Sequence, residues 1–200
     1  MGYDISEDPY VDPRTGLLRN KIGAKTKTQL NKAEAEITYI IIATLTTGSR
    51  VDTLEFDSQL LCDIHKEIFG DIYRWAGKVR THDISKDWAY FAHAPYIQPE
   101  LDRLSKELRA DTKLSEDDRE SFVDKITYYY SEFNAIHPFR EGNGRAIRTF
   151  LRLLAVKHGY DIEWAKMNAE ENVHASEMAL NGNTDEMGAM LDRITMKLDD

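Results

Sequence analysis

Two strongly amphipathic helical patterns meet in the second half of the chain, and the residues where they meet forbid either from running into the other. Phe122, Ile126, Tyr129, Tyr130 and Phe133 recur at three- and four-residue steps, which predicts a helix opened by Ser115-Glu-Asp-Asp and running to Ile136. Pro138 ends it, because the proline ring clashes with a helical residue before it. Gly142-Asn143-Gly144 follows, and Ile147, Phe150, Leu151 and Leu154 then line a second helix that begins near Gly144 and stops at Gly159. Any fold of this chain must hold a short polar loop between two core helices.

The flanking sequence is mostly helical as well. Residues 1–25 are rich in turn formers (Asp8-Pro9, Asp12-Pro13, Gly16, Gly23) and read as an irregular arm. Leu30, Ala33, Ile37, Ile40, Ile41 and Leu45 predict a helix from Thr28 to Thr47, with Gly48 at its stop. Leu60, Leu61, Ile64 and Ile68 predict another from about Asp57 to Phe69, with Asp57 as cap. Between Lys78 and Ile97 the character changes. Val79, Thr81 and Ile84 favour extended chain, Ser85-Lys86-Asp87 a turn, and Trp88 to Phe91 a second strand: a hairpin, and the only sheet expected. A helix over Pro99–Ala110 and two final helices over 169–180 and 184–198, capped by Asn168 and Thr184, complete a mainly α, single-domain reading of residues 1–200. Its parts are an arm and helix (1–50), a core (51–165) and C-terminal helices (166–200).

Composition narrows the functional classes. In 200 residues, 26 Lys and Arg stand against 35 Asp and Glu, a formal net charge of −9, which argues against a direct nucleic-acid binder. At 42% hydrophobic and 30% charged residues the chain can bury a core without staples. The one cysteine, Cys62, excludes an internal disulfide and fits a reducing compartment; it lies beside the Leu61–Ile64 stripe and reads as a buried small side chain. No signal peptide is visible, and no apolar run approaches membrane-spanning length, so no membrane partner is expected.

The chemistry-bearing segment is His137-Pro-Phe139-Arg-Glu141-Gly142-Asn143-Gly144-Arg145-Ala-Ile-Arg148. Glycines at a helix start expose free N–H groups to an anion. Arg145 and Arg148 stand about one turn apart on the new helix and can share a face toward a polyphosphate. Glu141 offers the lone carboxylate that Mg²⁺ commonly uses beside phosphates. His137 ends the preceding helix and can accept a proton near neutral pH. Taken singly, each feature is more often structural, and His137 with Glu141 could be half a zinc site, though no further ligands stand at zinc spacing. His65, His82, His93, His158 and His174 show no metal spacing and are assigned no catalytic role. Tyr128-Tyr129-Tyr130 spans several helix faces and reads as packing for the helix before the loop. Together the segment suggests transfer of a nucleotide or phosphoryl group to a nucleophile that His137 deprotonates.

The whole string matches H-x-F-x-[D/E]-G-N-G-R-x-x-R, the signature of Fic-domain proteins, at every specified position. Ile64-His65, Ile68-Phe69, Trp75-Ala76-Gly77, the Asp83–Phe91 segment, and Asp8-Pro9-Tyr10 with Leu18–Lys21 also resemble that family. The resemblance implies a Fic fold: a helical bundle with the signature loop, 137–148, between two central helices and a β-hairpin flap, about 78–97, over the site. It implies a protein adenylyltransferase that moves AMP from ATP, with Mg²⁺, to a Tyr, Thr or Ser hydroxyl. His137 would be the general base and Glu141 the Mg²⁺ ligand. Gly142, Asn143 and Gly144 would form the anion hole, with Asn143 also touching the α-phosphate, while Arg145 and Arg148 would take the β- and γ-phosphates. Phe139 would anchor the loop. The flap, with Ser85, Lys86 and Phe91, would dock the target protein. Many Fic proteins carry an inhibitory helix, [S/T]-x-x-x-E-[G/N], whose Glu pairs with the second motif Arg. Only Thr112…Glu116 has that spacing here, with Asp117 in the last place, so no built-in inhibitory helix is read. This resembles small bacterial, cytoplasmic toxins held by a separate antitoxin that supplies a Glu to Arg148. The alternatives are a Fic-type transferase using another nucleotide donor and a secreted effector module.

Overall fold

In a computed structural model of the chain, residues 8–48, 51–86, 89–115 and 118–198 are described. Local caps set several of the helix starts. The Asp57 carboxylate accepts the Leu60 N–H at 3.0 Å and opens a helix over Ser58–Phe69. Asp118 accepts from Glu120 and Ser121 and opens Arg119–Ile136; Asn168 accepts from Glu170 and Glu171 and opens Ala169–Leu180. The order along the chain is β1 (Val11–Asp12), β2 (Leu17–Leu18), α1 (Lys27–Gly48), α2 (Ser58–Phe69), β3 (Ser85–Lys86), β4 (Ala89–Tyr90), α3 (Ala94–Ala110), α4 (Arg119–Ile136), α5 (Asn143–Lys157), β5 (Tyr160–Ile162), α6 (Ala169–Leu180), α7 (Asp185–Ile194) and β6 (Thr195–Lys197).

Helices α4 and α5 form the centre, as their apolar stripes require. α2 and α4 pack on α5, α7 packs on α4, and α1 lies across α2 and α5. Phe133 of α4 meets Phe150 of α5 edge-on at 5.4 Å, and Phe56 meets the same ring at 5.3 Å. Ile64, Ile68, Phe122, Ile126, Ile147, Phe150, Leu151 and Leu154 are buried in one cluster. The α4–α5 connection is therefore anchored in the core, through Ile136 and Phe139.

The structure departs from the sequence reading in five places. Among the described residues, three two-stranded antiparallel sheets are present where one was expected: β1–β2, β3–β4 and β5–β6. In the flap, Ser85 and Lys86 are strand residues paired with Tyr90 and Ala89 rather than turn residues; the connecting Asp87 and Trp88 lie outside the described residues. Helix α3 begins at Ala94, not at Pro99, because Asp83 of the flap accepts the Ala94 N–H at 2.7 Å, a cap supplied from eleven residues upstream. The last helix ends at Ile194, since Thr195–Lys197 pairs with Tyr160–Ile162 instead of continuing. Ile40 is 65% exposed; the inner face of α1 carries Glu34 and Thr38 beside Leu30, and both polar residues meet Arg145 of α5. Of the sequence Thr112…Glu116, Thr112–Ser115 is a short 3₁₀ turn, and Glu116 and Asp117 lie outside the described residues.

Candidate active site

His137 caps α4 with φ 49° and ψ 62°, the only non-glycine residue at positive φ among the described residues. Pro138 denies it the helical region, and the left-handed turn swings its side chain out of the α4 stripe into a cleft. There it is 8% exposed and stacks on Phe91 at the end of the flap, ring centroids 3.8 Å apart. Its Nδ1 lies 3.2 Å from the Asn134 carbonyl oxygen. A carbonyl only accepts, so Nδ1 carries a proton, and in the neutral ring Nε2 is the basic nitrogen.

The loop after His137 is tied from below. Phe139 is fully buried and stacks on His65 at 3.8 Å. His65 accepts the Gly77 N–H at Nδ1 (2.8 Å) and donates from Nε2 to the Glu141 carbonyl (2.9 Å). Burial lowers its pKa to about 4, and the Arg145 charge acts in the same direction. His65 is thus a neutral strut between the segment before the flap and the loop. Gly142 sits at φ +83°, where a Cβ would fall 2.3 Å from Phe69 Cζ, so the position admits only glycine.

Arg80 ties the loop from the side. It is 1% exposed and donates to the carbonyls of His137 (2.9 Å), His82 (2.9 Å), Ala92 (2.5 Å) and Ile136 (3.2 Å), while its own N–H reaches the Pro138 carbonyl at 2.9 Å. Asp83 pairs with His93 at 2.6 Å and caps α3, closing the base of the flap; these two bonds hold its carboxyl below the usual range. Arg140 pairs with Asp8 at 2.9 Å, fastening the N-terminal arm beside the loop.

A cleft of about 560 Å³ opens over this loop. His137, Glu141 to Gly144 and Arg148 line it, with Ile84 and Phe91 from the flap, Tyr130 and Asn134 from α4 and Asn172 from α6. Helix α5 starts at Asn143 without a side-chain cap, so its first N–H groups and positive dipole end face the cleft. Arg148 reaches into it, its guanidinium carbon 5.9 Å from the Trp164 ring centre, with no carboxylate partner among the described residues.

Two expected roles take a different form. Both amide atoms of Asn143 are engaged by the Phe139 main chain at 2.7 Å, so Asn143 shapes the loop and offers an anion its backbone N–H. Arg145 is absent from the cleft lining; it lies over the Phe69 ring (4.6 Å) with Thr38 at 3.3 Å, Glu34 at 3.4 Å and Glu141 at 3.6 Å. The motif's spacing puts Arg145 and Arg148 on neighbouring faces, but α1 packs against α5 and captures the first of them.

Glu141 is suited to a cation. Its side chain is 44% exposed, Oε1 accepts the Gly142 N–H at 2.9 Å, and Oε2 has no partner among the described residues. No three His, Cys, Asp or Glu side chains among the described residues are grouped to hold a metal alone. An ion at Glu141 would therefore share its shell with substrate oxygens and water, which is how Mg²⁺ binds beside nucleotide phosphates.

The sequence reading missed Arg80, Glu34 and the tying roles of His65 and Asp83. All four act through main-chain groups or residues distant in sequence, and no local spacing signals them.

Residues 55–155 match the profile of the Fic/DOC family. The chain is 39% identical over 191 residues to the protein adenylyltransferase VbhT of Bartonella schoenbuchensis, covering 96% of this chain and 40% of that protein's length. It is 33% identical over 186 residues to the probable protein adenylyltransferase Fic of Salmonella typhimurium, covering 93% of this chain and 91% of that protein. The fold superimposes with a TM-score of 0.87, at 26% identity, on the N-terminal Fic domain of a Bartonella quintana cell filamentation protein, a VirB-translocated effector solved with bound ADP; the match covers 95% of each chain. No described helix is long and apolar enough to cross a membrane.

Proposed function

The chain belongs to the Fic/DOC family and is a nucleotidyltransferase of the protein-adenylyltransferase kind, and from that premise we propose that it moves AMP from ATP onto a Tyr, Thr or Ser hydroxyl of a target protein. The observation that carries this reading is the pairing, in one cleft, of a histidine whose Nδ1 faces a main-chain carbonyl with a helix N-terminus lacking a side-chain cap and an arginine with no carboxylate partner among the described residues. His137 Nε2 takes the hydroxyl proton. The oxygen attacks the α-phosphorus, the bond to the β-phosphate breaks, and pyrophosphate leaves. The N–H groups of the α5 start hold the α-phosphate, and Arg148 takes the outer phosphates. Magnesium, when bound, neutralises phosphate charge, and Glu141 is the residue that would hold it. The short β3–β4 hairpin supplies an edge on which an extended target segment can add as a strand, with Phe91 as the wall beside His137.

With ATP labelled on the α-phosphate, a bacterial lysate and Mg²⁺, target protein is expected to acquire label and the mass of AMP. Label arriving from the γ-phosphate instead, or arriving only from UTP or GTP, would overturn the donor assignment. Glu141→Ala is expected to raise the Mg²⁺ concentration for half-maximal rate by roughly 10-fold or more. Full activity of the unaltered chain in EDTA contradicts the metal role.

The proposal extends to a bacterial cytoplasmic toxin whose antitoxin places a Glu on Arg148. That arginine lines the cleft without a carboxylate among the described residues, and a competing carboxylate there would forfeit the outer-phosphate contact. A charged hydrogen bond of that kind is worth about 1.5–3 kcal/mol, enough to misalign most bound ATP. A secreted effector is the second reading, favoured by the likeness to the translocated Bartonella domain.

A further inference from the structure

Arg145 is held in a way that the transfer reaction alone does not require. Its Nη2 lies between two carboxylates, 3.4 Å from Glu34 Oε2 and 3.6 Å from Glu141 Oε1. Nη1 donates to Thr38 Oγ1 at 3.3 Å, and the Phe69 ring supports the guanidinium from one face. Glu34 is itself fixed: it is buried on the inner side of α1, and the Tyr73 hydroxyl donates to its Oε1 at 3.1 Å. Tyr73 in turn stacks on Trp75 at 4.5 Å. The result is a chain of contacts, Tyr73 to Glu34 to Arg145 to Glu141, running from the core to the cleft. Glu34 lies outside residues 55–155, the part of the chain that the family profile covers.

We propose that Glu34 is a positioning residue for the Glu141 carboxylate, acting through Arg145, and that it thereby sets the affinity of the cleft for its divalent cation. The proposal rests on Glu141 being the metal-holding residue of the reaction above. An arginine flanked by two carboxylates divides its hydrogen bonds between them. With Glu34 present, Arg145 stays on the α1 side and touches Glu141 only through Oε1, the oxygen that the Gly142 N–H also holds. Glu141 Oε2 is left to a cation. With Glu34 neutralised, Arg145 turns fully to Glu141, where a bidentate guanidinium–carboxylate pair occupies both oxygens and competes with the metal. The loss of one negative charge near the site acts in the same direction. Residues that orient a metal ligand typically carry 10–100-fold in metal affinity.

The test measures Mn²⁺ binding directly, by the electron paramagnetic resonance signal of the free ion, with a non-hydrolysable ATP analogue bound to the full chain. Glu34→Gln keeps the shape and removes the charge; it is expected to weaken Mn²⁺ roughly 10-fold or more. Because Glu34 acts through Arg145, Glu34→Gln is expected to add little in an Arg145→Met background, so the two changes are strongly non-additive. Tyr73→Phe, which removes one anchor of Glu34 and leaves its charge, is expected to weaken Mn²⁺ by a smaller factor and keeps the test open if Glu34→Gln fails to fold. Unchanged Mn²⁺ affinity in both Glu34→Gln and Tyr73→Phe overturns the proposal, as does an equal loss with and without Arg145. Tighter binding of the analogue in metal-free buffer by Glu34→Gln also overturns it, since Glu34 would then be restraining Arg145 from the phosphates. If the unaltered chain shows no analogue-dependent Mn²⁺ binding, it is the metal role of Glu141 that falls.

Discussion

His137→Ala is expected to lower the rate of AMP transfer by roughly 10²–10⁴-fold while leaving ATP–Mg²⁺ affinity within a few-fold of normal. The structure gives the reason for the split. The groups proposed to bind phosphate are the α5 N-terminus and Arg148, not His137, so removing His137 is expected to spare the ground state. In the proposed reaction its Nε2, the basic nitrogen of the neutral ring when Nδ1 donates to the Asn134 carbonyl, acts only as the target hydroxyl loses its proton. The ring also fills the space against Phe91, so the alanine variant leaves a gap at the flap base, and flap docking of the target is expected to weaken somewhat as well. Single-turnover label transfer and an equilibrium nucleotide titration separate the two effects. An equal loss in both would place His137 among the phosphate contacts and remove its role as base. The same pair of proteins tests the toxin reading in cells. Overproduction of the unaltered chain is expected to slow bacterial growth and the His137→Ala chain to leave it normal; indistinguishable growth curves would sink the toxin assignment without touching the chemistry.

What the sequence discloses and what it hides divide along a physical line. Helices α2, α4 and α6 are legible because both signals that define them are local: an apolar period and a polar cap within three residues, as at Asp57, Asp118 and Asn168; α5, which has no side-chain cap, is legible from its apolar period and the glycines before it. The site loop is legible because Pro138 and the glycines dictate a turn whatever surrounds them. The start of α3 is hidden, since its cap comes from Asp83 across the flap, and β6 is hidden, since Thr195–Lys197 becomes a strand only by finding Tyr160–Ile162. The same line runs through the site. His137, Glu141 and Gly142 stand where adjacency puts them, but the fate of Arg145 is decided by Glu34 and Thr38, more than a hundred residues away, and no spacing inside the motif announces it. Asn143 reads as a phosphate contact from its neighbours alone; only the folded loop shows its amide spent on Phe139.

Arg80 is the sharpest case of that hidden class, and its replacement is expected to be the most damaging to stability of the changes considered. A buried guanidinium spanning the carbonyls of Ile136, His137, His82 and Ala92 joins the end of α4 to both ends of the flap segment. Arg80→Met keeps most of the volume and deletes every one of those donors. Hydrogen bonds to a charged group are worth about 1.5–3 kcal/mol each, and a buried acceptor left unpaired costs about 1–3 kcal/mol. The losses do not add in full, because the flap and loop can relax and admit water. A net destabilisation of about 3–5 kcal/mol is expected, or roughly 10 °C in Tm for a domain of this size. Arg80→Lys, with one ammonium in place of the fork, cannot reach all four carbonyls and is expected to fall between the two. Below its melting temperature the Met variant should still bind nucleotide, because the α5 start and Arg148 are built from the other side of the loop, yet transfer slowly, because the His137 carbonyl has lost the bond that fixes its left-handed turn. Urea unfolding with a nucleotide titration at low temperature measures both quantities. A stability within 1 kcal/mol of the unaltered chain would show that the four carbonyls find water as readily as they find Arg80, and that the loop owes its geometry to Pro138, Phe139 and His65 instead.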